Sequence, residues 1–143
     1  MTIRTKVAAG VMSIAALGLG VVSASPAAAS SGYCASYDAC LYYSPNFQGA
    51  FFGDGSGTSQ GYETYQYNSA YTFGGGGAGN GQYVRNNAAS VINNNTTYSL
   101  TIYYSPGGYG ISQYFKRGTR GNLIPELRNN NASQCFDFYD YCR

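Results

Sequence analysis

The apolar positions of the chain fall into two regimes. From Val7 to Val22 they run almost unbroken; after residue 29 they alternate with polar positions over short stretches and never sustain a helical spacing. The clearest alternation is Tyr98-Ser99-Leu100-Thr101-Ile102-Tyr103-Tyr104. It sets Leu100, Ile102 and Tyr104 on one face and Ser99, Thr101 and Tyr103 on the other, the period of a half-buried strand. Turn formers at Ser44-Pro45-Asn46, Gly53-Asp54-Gly55, Gly74 to Gly77, Ser105-Pro106-Gly107-Gly108 and Gly121-Asn122 divide the remainder at intervals suited to short antiparallel strands. Everything after residue 29 is therefore expected to be all-β.

The first apolar run follows Arg4 and Lys6 and ends before Ala27-Ala28-Ala29. A charged start, an apolar stretch and small residues ahead of Ser30 are the parts of an export signal. The run is interrupted by Gly10, Ser13, Gly18 and Gly20 and falls short of the roughly 20 apolar residues of a membrane span. Residues 1–29 are thus expected to be a signal peptide and 30–143 a single secreted domain. The Ala-rich leader suggests a bacterial source, so the acceptor patterns at Asn94, Asn95 and Asn131 are expected to carry no glycan.

Composition narrows the chemistry. The chain has no histidine, which removes Ser-His-Asp and Cys-His nucleophile systems and His-ligated zinc, and leaves no credible enzyme. The net charge of +2 belongs to Arg4 and Lys6; beyond the leader, acids and bases balance. A neutral domain has no general attraction for nucleic acid or an anionic membrane, and the cluster Lys116, Arg117, Arg120 reads as a solvated turn. Asp54, between glycines, pairs on paper with Glu63 as a glycosidase acid and base, but its plainer reading is a solvated turn. In an oxidising compartment four cysteines read as disulfides, and their two tight couples favour Cys34 with Cys40 and Cys135 with Cys142.

An internal repeat organises the domain. Tyr42-Tyr43-Ser44-Pro45-Asn46-Phe47-Gln48-Gly49 recurs as Tyr103-Tyr104-Ser105-Pro106-Gly107-Gly108-Tyr109-Gly110, and Arg85-Asn86-Asn87-Ala88-Ala89-Ser90 recurs as Arg128-Asn129-Asn130-Asn131-Ala132-Ser133. The first copy, about 40–95, is longer than the second, about 98–138. The surplus falls in 53–82, a Gly-, Ser-, Tyr- and Asn-rich stretch expected to be a long mobile loop around one strand. Two such units make about eight strands, a duplicated Greek-key sandwich.

Tyr42, Phe47 and Gly49 resemble the aromatic-x-x-x-x-aromatic-x-Gly hairpin of the βγ-crystallin Greek key. Such a hairpin needs one ring packed on another and a glycine where a Cβ is not tolerated. In the second copy Tyr103 is followed by Gly108, with the aromatic at Tyr109 before Gly110, so its hairpin is expected to be shifted by one residue or loosened. The opening Cys34-Ala35-Ser36-Tyr37-Asp38-Ala39-Cys40-Leu41-Tyr42 is similar to that of the actinobacterial metalloproteinase inhibitors, peptidase inhibitor family thirty-six. The resemblance implies a secreted, non-enzymatic inhibitor whose partner is an extracellular peptidase and which requires no cofactor. It also implies a short disulfide-closed inhibitory loop. The segment Cys135 to Cys142 offers one, with Phe136, Phe138, Tyr139 and Tyr141 as side chains for an apolar pocket, although it follows the second Asn-rich landmark instead of opening the second unit. The Tyr-rich insertion 53–82 competes for the role, and a stapled final strand with buried aromatics is the plainer reading of Cys135 to Cys142.

Calcium-binding relatives of the same fold supply an alternative. Asn86, Asn87 and Ser90, with Asn129, Asn130 and Ser133, match five of six positions of their Asn/Asp-Asn/Asp-x-x-Ser/Thr-Ser motif. The sixth is Val91 or Gln134, and no carboxylate is present. A calcium-binding, structural or surface-binding protein, toxin-like relatives included, is therefore the second reading; turns held by Asn side chains are the simpler account of the same residues.

Overall fold

The computed structural model describes residues 33–54, 64–66 and 71–137. Among them are eight strands: β1 (Ala39–Ser44), β2 (Gln48–Asp54), β3 (Thr64–Gln66), β4 (Ser90–Asn93), β5 (Ser99–Ser105), β6 (Tyr109–Phe115), β7 (Arg120–Asn122) and β8 (Ser133–Asp137). They form two antiparallel sheets, ordered β2-β1-β4-β7 and β3-β8-β5-β6. Each unit keeps three strands together and lends its third to the other sheet: β3 lies beside β8, and β7 beside β4. The duplication legible in the sequence is thereby locked into one sandwich.

The two hairpins have the same register. Tyr42 faces Phe51 and Ser44 faces Gln48; Tyr103 faces Ser112 and Ser105 faces Tyr109, with an irregularity at the corresponding place in each. The expectation that the second hairpin is shifted or loosened is corrected. Gly107 and Gly108, at φ 75° and 78°, take the left-handed conformations that Asn46 and Phe47 hold at 58° and 62°. Two glycines reach that region without a ring to hold them there. Gly108 therefore stands where Phe47 does, and Tyr109, at the place of Gln48, is exposed and not the corner aromatic. In the first hairpin the corner is built as expected, Tyr42 packing edge-on to Phe47 with ring centroids 6.1 Å apart.

One hydrophobic core lies between the sheets, built from Leu41, Phe73, Val84, Val91, Leu100, Ile102, Phe115, Leu123, Leu127 and Phe136 among others. β5 runs between β8 and β6 and is buried on both faces: Leu100 and Ile102 enter the core, and Thr101 and Tyr103 are buried on the opposite side. Tyr104, grouped with the core positions by alternation, lies at the irregularity between Tyr103 and Ser105 and is exposed. A smaller cluster covers the outer face of the first sheet, where the Cys34–Cys40 disulfide, with Cα atoms 5.9 Å apart, and Tyr42 pack with Phe47, Phe51 and Ile92.

The stretch expected as a mobile loop is, over 71–82, part of the fold. Phe73 is buried in the core, and its main chain bonds to Gln82 and Gly81. Phe51 and Gly74 exchange N–H···O=C bonds of 3.0 and 2.9 Å, and Ala50 N–H donates to the Ala78 carbonyl at 2.8 Å. The glycines let this flap lie flat on aromatic rings. A Cβ on Gly79, which has φ +84°, would collide with the Tyr43 ring.

Candidate interaction surface

The Asn-rich landmarks serve the hairpins. Ser90 Oγ accepts the Phe47 N–H at 2.9 Å and donates to the Ser44 carbonyl at 2.7 Å. Ser133 Oγ accepts the Gly108 N–H at 3.1 Å and donates to the Ser105 carbonyl at 2.6 Å. Asn86 and Asn129 both have positive φ, and their N–H groups cross between the units to the carbonyls of Asn131 and Ala88. Asn87 Nδ2 donates to the Tyr83 and Arg85 carbonyls, and Asn130 Nδ2 to that of Glu126. The six positions read as cation ligands thus pin the turns on which the sandwich is wound.

Two further expectations change. Phe136, placed in the inhibitory loop, is only 4% exposed: β8 pairs it with Leu100 and alternation turns its ring into the core, where no pocket of a partner can receive it. Phe138, Tyr139, Tyr141 and Cys142 lie outside the described residues, and with them the pairing of Cys135 to Cys142. Asp54 is not a solvated turn residue. It ends β2, is 6% exposed, and its Oδ2 accepts a 2.6 Å bond from Gln134 Nε2 on β8. Nearby, burial and then the charge of Asp54 push the Asp38 carboxyl above its ordinary range. Glu63 lies outside the described residues.

Asn93, Asn94 and Asn95 form a clasp. Asn94 Nδ2 donates to the carbonyls of Cys34 and Ala35, and Asn95 Nδ2 to that of Tyr37, while Asn95 Oδ1 caps the N–H groups of Thr97 and Tyr98. The disulfide-closed entry of the first unit is in this way tied to the entry of the second. Lys116, Arg117 and Arg120 are exposed around the turn between β6 and β7, with the Arg120 guanidinium 5.4 Å above the Phe47 ring.

The sheet edges decide where another protein can engage. β3 and β7 are three residues long, and β7 begins with Arg120. Short and charged edges are the usual protection against unwanted strand pairing. β2 is covered by the flap. β6 is seven residues long, carries no charge, and has no strand beyond it among the described residues. Its own Ile111 and Tyr114 are exposed, the latter held by a 2.7 Å bond from its hydroxyl to Ser99 Oγ, as is Tyr104 on neighbouring β5. Sequence reasoning placed Tyr104 on the core face and did not single out Ile111 or Tyr114, although an uncharged run from Tyr109 to Phe115 in the copy lacking the insertion was a readable signal.

The architecture defines a two-sheet, duplicated Greek-key domain of the βγ-crystallin type. A solved structure described as "Evolution of the eye lens beta-gamma-crystallin domain fold" matches it with a TM-score of 0.53 and 16% identity, covering 77% of this chain and 94% of that one. At that identity the likeness concerns the fold. The chain matches peptidase inhibitor family I36 over residues 27–115 and belongs to that family. No curated protein sequence matches it. The family match ends at Phe115, the last residue of β6, and so takes in both hairpins, the Cys34–Cys40 disulfide and the flap but not Cys135 to Cys142.

Proposed function

We propose that the mature chain is a secreted, non-enzymatic inhibitor of an extracellular peptidase, with metalloproteinases the first class of target. The observation that carries this reading is membership of peptidase inhibitor family I36, since the fold alone hosts too many activities to point to one. The chemistry agrees with it: a chain without histidine has no imidazole base or nucleophile partner. A disulfide and a continuous core hold the hairpins in place before any encounter, which reduces the ordering cost of binding. The export-signal pattern before Ser30 and the disulfide support secretion. No calcium is required in this reading, because Ser90 and Ser133 already donate and accept within the hairpins.

The test is titration of the secreted protein, its start at Ser30 verified by intact mass, against metallo-, serine and cysteine peptidases. Stoichiometric inhibition of a metallopeptidase is expected. Failure to inhibit any member of the panel would overturn the proposal.

A further inference from the structure

The duplication supplies an internal comparison between a covered seat and one that is uncovered among the described residues. At matching register, Tyr43, Ala50 and Phe51 of the first unit correspond to Tyr104, Ile111 and Ser112 of the second. In the first unit the flap occupies this seat. Gly79 lies on the Tyr43 ring, Phe73 stands edge-on to it at 5.8 Å, the Ala78 carbonyl takes the Ala50 N–H, and Gly74 exchanges both main-chain bonds with Phe51. Ala50 is completely buried, within the core cluster to which Phe73 of the flap also belongs. The second unit has no such insertion: Asn122 to Ser133 is much shorter than Gln66 to Ser90. Its seat is left with Tyr104 at 47% and Ile111 at 50% exposure.

We infer that the β6 edge, with Tyr104 and Ile111, is the surface on which this protein docks its peptidase, and that it does so by accepting an extended, small-residue-rich main-chain segment from the wall of the peptidase's substrate cleft. The inference rests on the inhibitor reading above. The flap shows what this geometry holds: a strand-like segment, pairing antiparallel, with glycine over the tyrosine ring. Peptide recognition by strand addition uses the same main-chain bonds, and an uncharged edge does nothing to repel it. Because Phe51 directs its N–H and C=O to Gly74, Ser112 at the same register directs its own away from β5, toward the incoming segment. The edge is a fixed part of the sheet, so little ordering is needed on docking.

Ser112→Pro removes the outward donor while leaving the ladder to β5 intact, since proline is tolerated on an edge strand when its nitrogen faces outward. Ile111→Lys places a charge in the seat. Each variant is expected to inhibit a susceptible peptidase about ten-fold or more weakly than the wild type, as loss of a central contact does, with an unchanged melting temperature. Amide hydrogen exchange at Ile111 to Gln113 is expected to slow in the complex. Full inhibition by both variants would overturn the inference and leave the inhibitor reading standing. So would a wild-type dimer that Ser112→Pro converts to monomer, which would make a second copy the occupant. If the wild type inhibits no peptidase, the functional reading fails, and the seat is tested with a synthetic peptide of residues 71–83. Binding to the wild type and not to Ser112→Pro would support the seat, and no binding would overturn it.

Discussion

At the scale of single residues, burial reassigns roles that residue type alone suggested. Phe136 in a Cys-bounded aromatic run looks like a specificity anchor, yet its ring fills the core. Phe136→Ala is therefore expected to lower stability by about 3–5 kcal/mol, the cost of removing a large buried ring. A denaturant titration checks this, and a variant as stable as the wild type would show that the ring is not a core element. Asp38 has a folded-state pKa raised from the ordinary 3.8, first by burial and then by Asp54. In the window between 3.8 and the raised value the native state binds more protons than the unfolded chain, so this group's contribution to stability grows as pH falls through that window. At neutral pH the ionised carboxylate is the less favourable form. Asp38→Asn is expected to melt higher than the wild type at neutral pH and to lose that part of the pH dependence. A lower melting temperature at neutral pH would contradict the assignment.

At the scale of elements, the hairpins show what the sequence carries and what it hides. The strand alternation around Leu100 and Ile102, the Tyr42–Phe47 corner and the Cys34–Cys40 link were readable, because each depends on residues close together in the chain. The Asn-rich landmarks were visible as a repeat, but their bonds to hairpins distant in the chain were not. Nor was the flap. A run of glycines reads as a loose loop until Phe73 is seen in the core and Gly79 on Tyr43, contacts between residues far apart in sequence. Gly79→Ala is accordingly expected to cost more than about 1 kcal/mol, since both φ and the Tyr43 ring oppose a side chain there. The shift in thermal unfolding measures it. The landmark serines are equivalent in structure though their hairpins differ in sequence. Ser90→Ala and Ser133→Ala should each destabilise by about 1–3 kcal/mol, the cost of leaving buried hairpin groups without partners. With those hydroxyls committed to the turns, melting curves recorded in calcium and in chelator should coincide. A rise in calcium would restore the cation-binding reading of Asn86, Asn87, Asn129 and Asn130.

At the scale of the whole molecule, the sheets are joined by more than apolar contact. The Gln134–Asp54 bond crosses from one sheet to the other, and the exchange of β3 and β7 makes each sheet the joint product of both units. That exchange governs how the chain comes to be folded at all. A fragment ending before Ser99 contains β3 but not the β8 it pairs with, and a fragment beginning there contains β7 but not β4. Neither half can complete a sheet, so productive folding waits for closure of contacts distant in the chain, the class of topology that folds slowly. The two halves made as separate chains should each stay unfolded and acquire structure only when mixed, each acting as the template on which the other forms.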